Sequence, residues 1–221
     1  MVDEDFTMKV KFYGTRGSLP VCAREFQDFG GNSYNRDIRI NLLLMGTGGK
    51  IDHFKNMLVN QMGGDFFPIT MDQMGAHFNF ISLGQRAVQR SSGMSVTTKL
   101  HEHPGGTYSF RIERNNKVLA IVMDIEHGEE LDQGIIELAK DPDLLVHEAQ
   151  YTSAELESRR GWGHSSYEQA IEVAQQTGAK QLVMTHHDPE HDDAFLAEVE
   201  KKCQQEFSNY FLARELMEFT I

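Results

Sequence analysis

Gly161 to Asp193 reads GWGHSSYEQAIEVAQQTGAKQLVMTHHDPEHDD. The middle of this stretch has helical periodicity, and Ser165 or Ser166 is placed to cap its start. Gly178 is placed to stop it, since a helix commonly ends on a glycine in the left-handed conformation. An apolar strand, KQLVMT, follows and runs straight into His186 and His187. The last twelve residues alone hold three histidines and four carboxylates.

Working outward, the same arrangement recurs. DLLVHEAQ, Asp143 to Gln150, reads as a buried strand ending in His147-Glu148. TYSFRIERNNKVLAIVMD, Thr107 to Asp124, reads as two strands joined at Asn115-Asn116, and the second ends on Asp124. Helices are expected over Gly128 to Lys140, Ser165 to Gly178 and Asp193 to Phe207, with a final strand in LMEFTI. Toward the start, MKVKFYGTRG and INLLLMGTGG read as strands running into glycine turns. HFKNMLVNQM reads as a short helix and HFNFISL as a strand. The first half therefore leans to strands and the second alternates strand and helix, an α/β class in which ligands bind beyond the carboxyl ends of the strands.

The bulk numbers narrow the function. A chain of 221 residues suits one domain, residues 1–221. No apolar run approaches the roughly 20 residues needed to cross a bilayer. The N-terminus MVDEDF is acidic where a secretory signal is basic, so the cytoplasm is the expected location. Cys22 and Cys203 match no CxxC spacing, which suits a reducing compartment, with a single disulfide as the alternative. Net charge is −12, with 21 Lys and Arg against 33 Asp and Glu. Nucleic-acid binders neutralise phosphates with basic side chains, so a general DNA or RNA partner is not expected.

The ordered motifs resemble the metallo-β-lactamase-fold hydrolases, in the branch of ribonuclease Z and related phosphodiesterases. The resemblance rests on KFYGTRGSLP, FGGNS (Phe29 to Ser33), HPGGTYSFRI, VMDIEH, LLVHEAQYT, GWGHSSYEQAIEVA and LVMTHHDPEHDD. It is loose over Met8 to Met45 and close over Leu100 to Asp193. It implies a four-layered αβ/βα sandwich and a metal-dependent, phosphodiesterase-like activity with one or two zinc, manganese or iron ions. By the same resemblance His103 and His186 match metal ligands, and Asp124 matches the aspartate bridging two metals. His164 matches the residue that binds the scissile phosphate or protonates the leaving group, and Glu148 matches an acid that orients neighbouring histidines. A homodimer is among its implications.

The family's HxHxDH signature is absent. Gly46 and Gly48, around Thr47, stand where its first histidines are expected, and Asp52-His53 is a displaced remnant of its DH pair or simply the start of a helix. As a remnant, Asp52 is a candidate catalytic residue and His53 a candidate ligand. Two readings stay open. Either the motif is lost, leaving an inactive ligand- or protein-binding relative, or segments of the natural polypeptide are missing and the N-terminal half of the sandwich is incomplete. Acidity argues for a small phosphodiester or another ester as substrate rather than tRNA. His101 reads as a plain hairpin residue, and Asp188, His191, Asp192 and Asp193 as a solvated acidic turn. Trp162 either packs under the His164 loop or lines a pocket.

Overall fold

Asn115 and Asn116 both adopt left-handed backbone, φ 49° and 61°, the geometry of the two-residue turn whose twist matches that of paired strands. They join β6 (Thr107–Arg114) to β7 (Lys117–Val122) in the antiparallel register Arg114↔Lys117 to Phe110↔Ile121. The computed structural model from which this geometry is taken describes residues 7–12, 14–15, 43–47, 51–62, 70, 79–83, 86–91 and 93–221. The FGGNS stretch, Cys22 and Gly48 lie outside them.

From this hairpin a sheet extends both ways. Outward lie β5 (Met94–His101), antiparallel to β6, and β4 (Arg86–Ser91) at the edge. On the other side β8 (Leu144–Glu148), β9 (Leu182–Thr185) and β10 (Tyr210–Leu212) add in parallel to β7. The order is β10-β9-β8-β7-β6-β5-β4, seven strands among the described residues. Parallel strands need crossovers, and three helices supply one covered face: α2 (Gln133–Leu138), α4 (Tyr167–Thr177) and α5 (Asp193–Cys203). Ile135, Leu138, Ala170, Ile171, Ala174 and Val199 from these helices pack on Ala120, Val122, Leu145, Leu182 and Met184 of the strands. The opposite face, with Leu119, Leu144, Val146 and Val183, is covered by β1 (Lys9–Lys11) and β11 (Glu218–Thr220), an antiparallel pair carrying Val10 and Phe219. A sheet buried on both sides explains why β8 and β9 read as continuous apolar runs without alternation.

Caps set the helix ends. Ser166 caps α4 in a reciprocal box with Gln169, and Gly178 closes it at φ 69°. Asp132 caps α2 by accepting from the N–H groups of Gly134 and Ile135, so that helix starts later than the Gly128 to Lys140 periodicity predicts. A short helix α3 (Ser153–Ser158), capped by Thr152, and the strands β4, β5 and β10 were not anticipated. In β5 the buried positions include Thr98 and His101, which conceals the apolar alternation.

Residues 35–87 cluster as a separate compact unit from 1–34 and 88–221. Within it, β2 (Leu43–Thr47) runs parallel to β3 (Asn79–Leu83), and α1 (Ile51–Gln61) places Lys55 Nζ 5.6 Å from the Phe80 ring. Gly46 and Thr47 continue the β2 strand rather than forming a turn.

Candidate metal centre

Asp124 follows β7 and His186 follows β9, and both residues have left-handed backbone, φ 51° and 65°. Asp and His are among the non-glycine residues that enter this uncommon conformation most often, and it turns the chain sharply at each of these two strand ends. The effect is convergence. Asp124, His164 and His186 each offer a ligand atom within 4.8 Å of the others. Asp124 Oδ1 and His186 Nε2 lie 3.3 Å apart. Yet among the described residues Asp124 Oδ1 and His186 Nε2 are buried without a formed hydrogen bond. Buried polar atoms are normally paired, so these two atoms facing each other beside His164 mark a place for a ligand. Two imidazoles and a carboxylate suit zinc, manganese or iron. Burial pulls the His186 imidazole down to about 4, Asp124 opposing, so the ring is neutral and its lone pair available at neutral pH.

His103 stands beside this cluster. Its Nδ1–H donates to the Gly163 carbonyl at 3.0 Å, which leaves Nε2 as the ring's lone-pair nitrogen. Its ring centroid is 5.5 Å from that of His164, and His164 is 5.0 Å from His186. Gly163 has φ 89°, and a Cβ there would fall 2.1 Å from His103 Nδ1, so only glycine lets the His164 loop approach.

Glu148, fully buried at the end of β8, binds the loops together. Its Oε1 accepts from the N–H groups of Ile125 (3.1 Å) and Ser165 (2.8 Å), and its Oε2 from Gln150 N–H (3.2 Å). Burial pushes its carboxyl up to about 7. His164 Nδ1 lies 3.5 Å from Glu148 Oε1. Burial pulls the His164 imidazole down, but the Glu148 carboxylate, with Asp124 and Glu126, more than offsets this and holds it above its ordinary value.

Other residues escaped the sequence reading. Asp188 and His191 are buried, not solvated: His191 Nε2–H donates to Glu155 Oε1 at 2.9 Å and the ring stacks on Phe195 at 4.0 Å. Asp192 is the cap of α5. Glu126 was legible only as a charged residue two positions past Asp124, yet its carboxylate accepts from Gly161 N–H and Gly163 N–H, both at 2.8 Å. Asp52 and His53 are exposed on α1, in the unit of residues 35–87, and the three-residue cluster does not include them.

A second histidine group lies beside the site. Asp132 N–H donates to His127 Nδ1 (3.2 Å), and His147 Nδ1–H donates to the Glu148 carbonyl (2.5 Å). These bonds set the tautomers, so His127 Nε2–H points to His147 Nε2 at 3.5 Å. His101 is buried nearby, with neither ring nitrogen hydrogen-bonded. Burial pulls His127 down to about 4 and His147 down to about 3. The unfolded chain takes up these protons below about pH 6.5, before the folded protein does. Each histidine therefore costs nothing above pH 6.5 and removes up to about 1.4 kcal/mol per pH unit as pH falls toward its folded value. Glu148 acts oppositely between pH 7 and 4.5, because the folded state binds its proton first. The net expectation is a steady loss of stability from pH 6.5 to 4, read by urea melts. His127→Gln should flatten the slope by about one proton, and an unchanged slope would refute the assignment.

The family described as beta-lactamase superfamily domain matches residues 52–187, more than half of the chain, and the chain belongs to it. Curated relatives include ribonuclease Z of Lactococcus lactis subsp. cremoris, 36% identical over 83 residues, 38% of this chain and 27% of that protein. Ribonuclease Z of Brevibacillus brevis is 42% identical over 64 residues, 29% of this chain and 20% of that protein. The matched stretch thus spans about a quarter of these relatives' length. Among solved structures, the metallo-beta-lactamase fold protein YhfI of Bacillus subtilis superposes with TM-score 0.60 at 17% identity, covering 80% of this chain and 64% of that one. The short form of human tRNase Z gives 0.56 at 20%, covering 82% and 67%. The fold is therefore the metallo-β-lactamase fold implied by the motifs. The expectation that nucleic acid is not a partner gains no support from relatives named as ribonucleases. Among the described residues no helix is long and apolar enough to cross a membrane.

Proposed function

We propose that the chain is a metal-dependent hydrolase of phosphodiesters, acting at Asp124, His164 and His186 with His103 beside them. The observation that carries this reading is the convergence of Asp124, His164 and His186, whose ligand atoms lie within 4.8 Å of one another. The relatives named ribonuclease Z support a phosphodiester rather than a carboxylic ester. Asp124, His186 and His103 hold the ion, with zinc, manganese or iron as candidates. A divalent ion there supplies Lewis acidity toward a phosphoryl oxygen. Glu148 orients His164 and favours its protonated form, from which a proton passes to the leaving oxygen. That the two compact units work as one domain is part of this reading, supported by a family match that runs through both. A small diester substrate, a cytoplasmic location and a homodimer belong to the same reading.

The test is metal content by elemental mass spectrometry on protein purified without chelator, with hydrolysis of bis(p-nitrophenyl) phosphate measured alongside. One or two ions per chain and turnover lost to chelator support the hydrolase. Metal-free protein of the expected mass, inactive after zinc or manganese is added, would leave a binding module on this fold.

A further inference from the structure

Trp162 is the only tryptophan of the chain and is 61% exposed. A large ring left in water forgoes the burial that stabilises most aromatic side chains, so what holds it there matters. Its loop is clamped. Glu126 accepts from the N–H groups on both sides of it, Gly161 and Gly163. Its own N–H donates to the Arg159 carbonyl at 3.2 Å. Gly161 and Gly163 both have left-handed backbone, φ 86° and 89°, and the Gly163 carbonyl is held by His103. The ring is thus displayed by a fixed loop, two residues before His164.

It is displayed into a cleft of about 660 Å³ that also contains His103, His164, Tyr151 and Arg159. That volume is within the range of small-molecule sites. The Arg159 guanidinium lies 4.9 Å from the centroid of the Tyr151 ring, and among the described residues no carboxylate pairs with it. Its neighbour Arg160 is occupied by the carbonyls of His127 and Gly128. A guanidinium over a ring keeps its N–H edge for two oxygens of a phosphate or carboxylate.

From this we propose that the cleft is a nucleotide subsite, in which Trp162 stacks on the base and Arg159 takes a phosphate. The proposal rests on the phosphodiesterase reading for its biological use, but not for its geometry. An exposed π-face, a guanidinium with no carboxylate partner among the described residues, and His103 and His164 of the candidate centre share one cleft, and they match the parts of a nucleotide: base, phosphate and phosphoester. The same cleft limits ligand size. Asp188 and Glu190 also line it, and the chain carries −12 overall, so successive phosphates of a long polyanion are repelled.

Because no other tryptophan is present, tryptophan fluorescence, excited beyond tyrosine absorption, reports on this position alone. Adenosine 5′-monophosphate should quench it saturably, and ribose 5-phosphate, which lacks the base, should bind at least about tenfold more weakly. Equilibrium dialysis with labelled adenosine 5′-monophosphate reads the variants. Trp162→Leu should weaken binding about tenfold or more, and Trp162→Phe, which keeps a ring, by less than about threefold. Arg159→Leu should weaken both probes. A five-nucleotide RNA should bind no more tightly than the mononucleotide. Absence of saturable quenching, equal affinity for the two probes, wild-type binding by Trp162→Leu, or much tighter RNA binding would overturn the subsite. Nucleotide binding that depends on Trp162, in protein that hydrolyses no diester, would keep the subsite and sink the hydrolase. Hydrolysis of bis(p-nitrophenyl) phosphate without nucleotide binding would do the reverse.

Discussion

Asp124→Asn protein should remain folded, with zinc affinity reduced more than about 100-fold, because changes to groups that merely support a ligand already cost about 10- to 100-fold. Asparagine suits the left-handed backbone at this position, so the φ of 51° persists and the change removes charge and ligand strength alone. The same substitution acts in opposite directions on the two forms of the protein. Without metal, Asp124 Oδ1 is a buried acceptor with no partner, and its loss is neutral or mildly stabilising. With metal, binding stabilises the native state by about 2.7 kcal/mol at a hundredfold excess over the dissociation constant, and the variant forgoes this. Thermal melts of wild type and variant, each with chelator and with added zinc, provide the check. Zinc should raise the wild-type midpoint and leave the variant's unmoved. An equal rise in both would remove Asp124 from the ligand set.

The second large effect is on folding itself. Glu148→Ala should lower stability by about 2–6 kcal/mol, since each buried N–H left without an acceptor costs about 1–3 kcal/mol. Two lose theirs, those of Ile125 and Ser165, while the Gln150 N–H keeps the Ser165 carbonyl at 3.1 Å. The three N–H groups that Glu148 serves belong to three different loops: the one after β7 that carries Asp124, the one after β8, and the one that carries His164. Glu148→Gln should be intermediate. One amide oxygen can serve Ile125 and Ser165 together, but the amide N–H₂ then faces the Gln150 N–H, donor against donor. Denaturant midpoints of the two variants measure this order. A change below about 1 kcal/mol in Glu148→Ala would mean that water replaces the carboxylate at little cost. Loss of that much stability removes a large part of the roughly 5–15 kcal/mol available to a domain, so activity measured on the alanine variant would report folding before chemistry.

Much of this architecture was readable along the chain. The polar residues at strand ends, Asp124, Glu148 and His186, stand out because each follows an apolar run and the signal lies within a few residues. Ser166, Gly178 and the Asn115-Asn116 turn were equally visible, since caps and tight turns are local chemistry. His191 and Asp188 misled because a cluster of polar residues after a strand looks solvated unless its partners are known. Those partners, Glu155 and Gln150, are 36 and 38 residues away. In the same way His101 looked like an ordinary hairpin residue, whereas the β5–β6 pairing turns it inward.

The sequence by itself determined the alternation of β7, α2, β8, α4, β9 and α5, the residue types at the strand ends, and the absence of the HxHxDH pattern. These follow from periodicity, capping and composition, which act over one or two turns of chain. Only the tertiary structure decided that Asp124, His164 and His186 share one 4.8 Å cluster, that Glu126 displays Trp162, and that Glu148 ties three loops together. Each of these joins residues tens of positions apart. Their meeting is set by the parallel registers of β7, β8 and β9 and by the crossovers between them, which bring distant loops to one edge of the sheet.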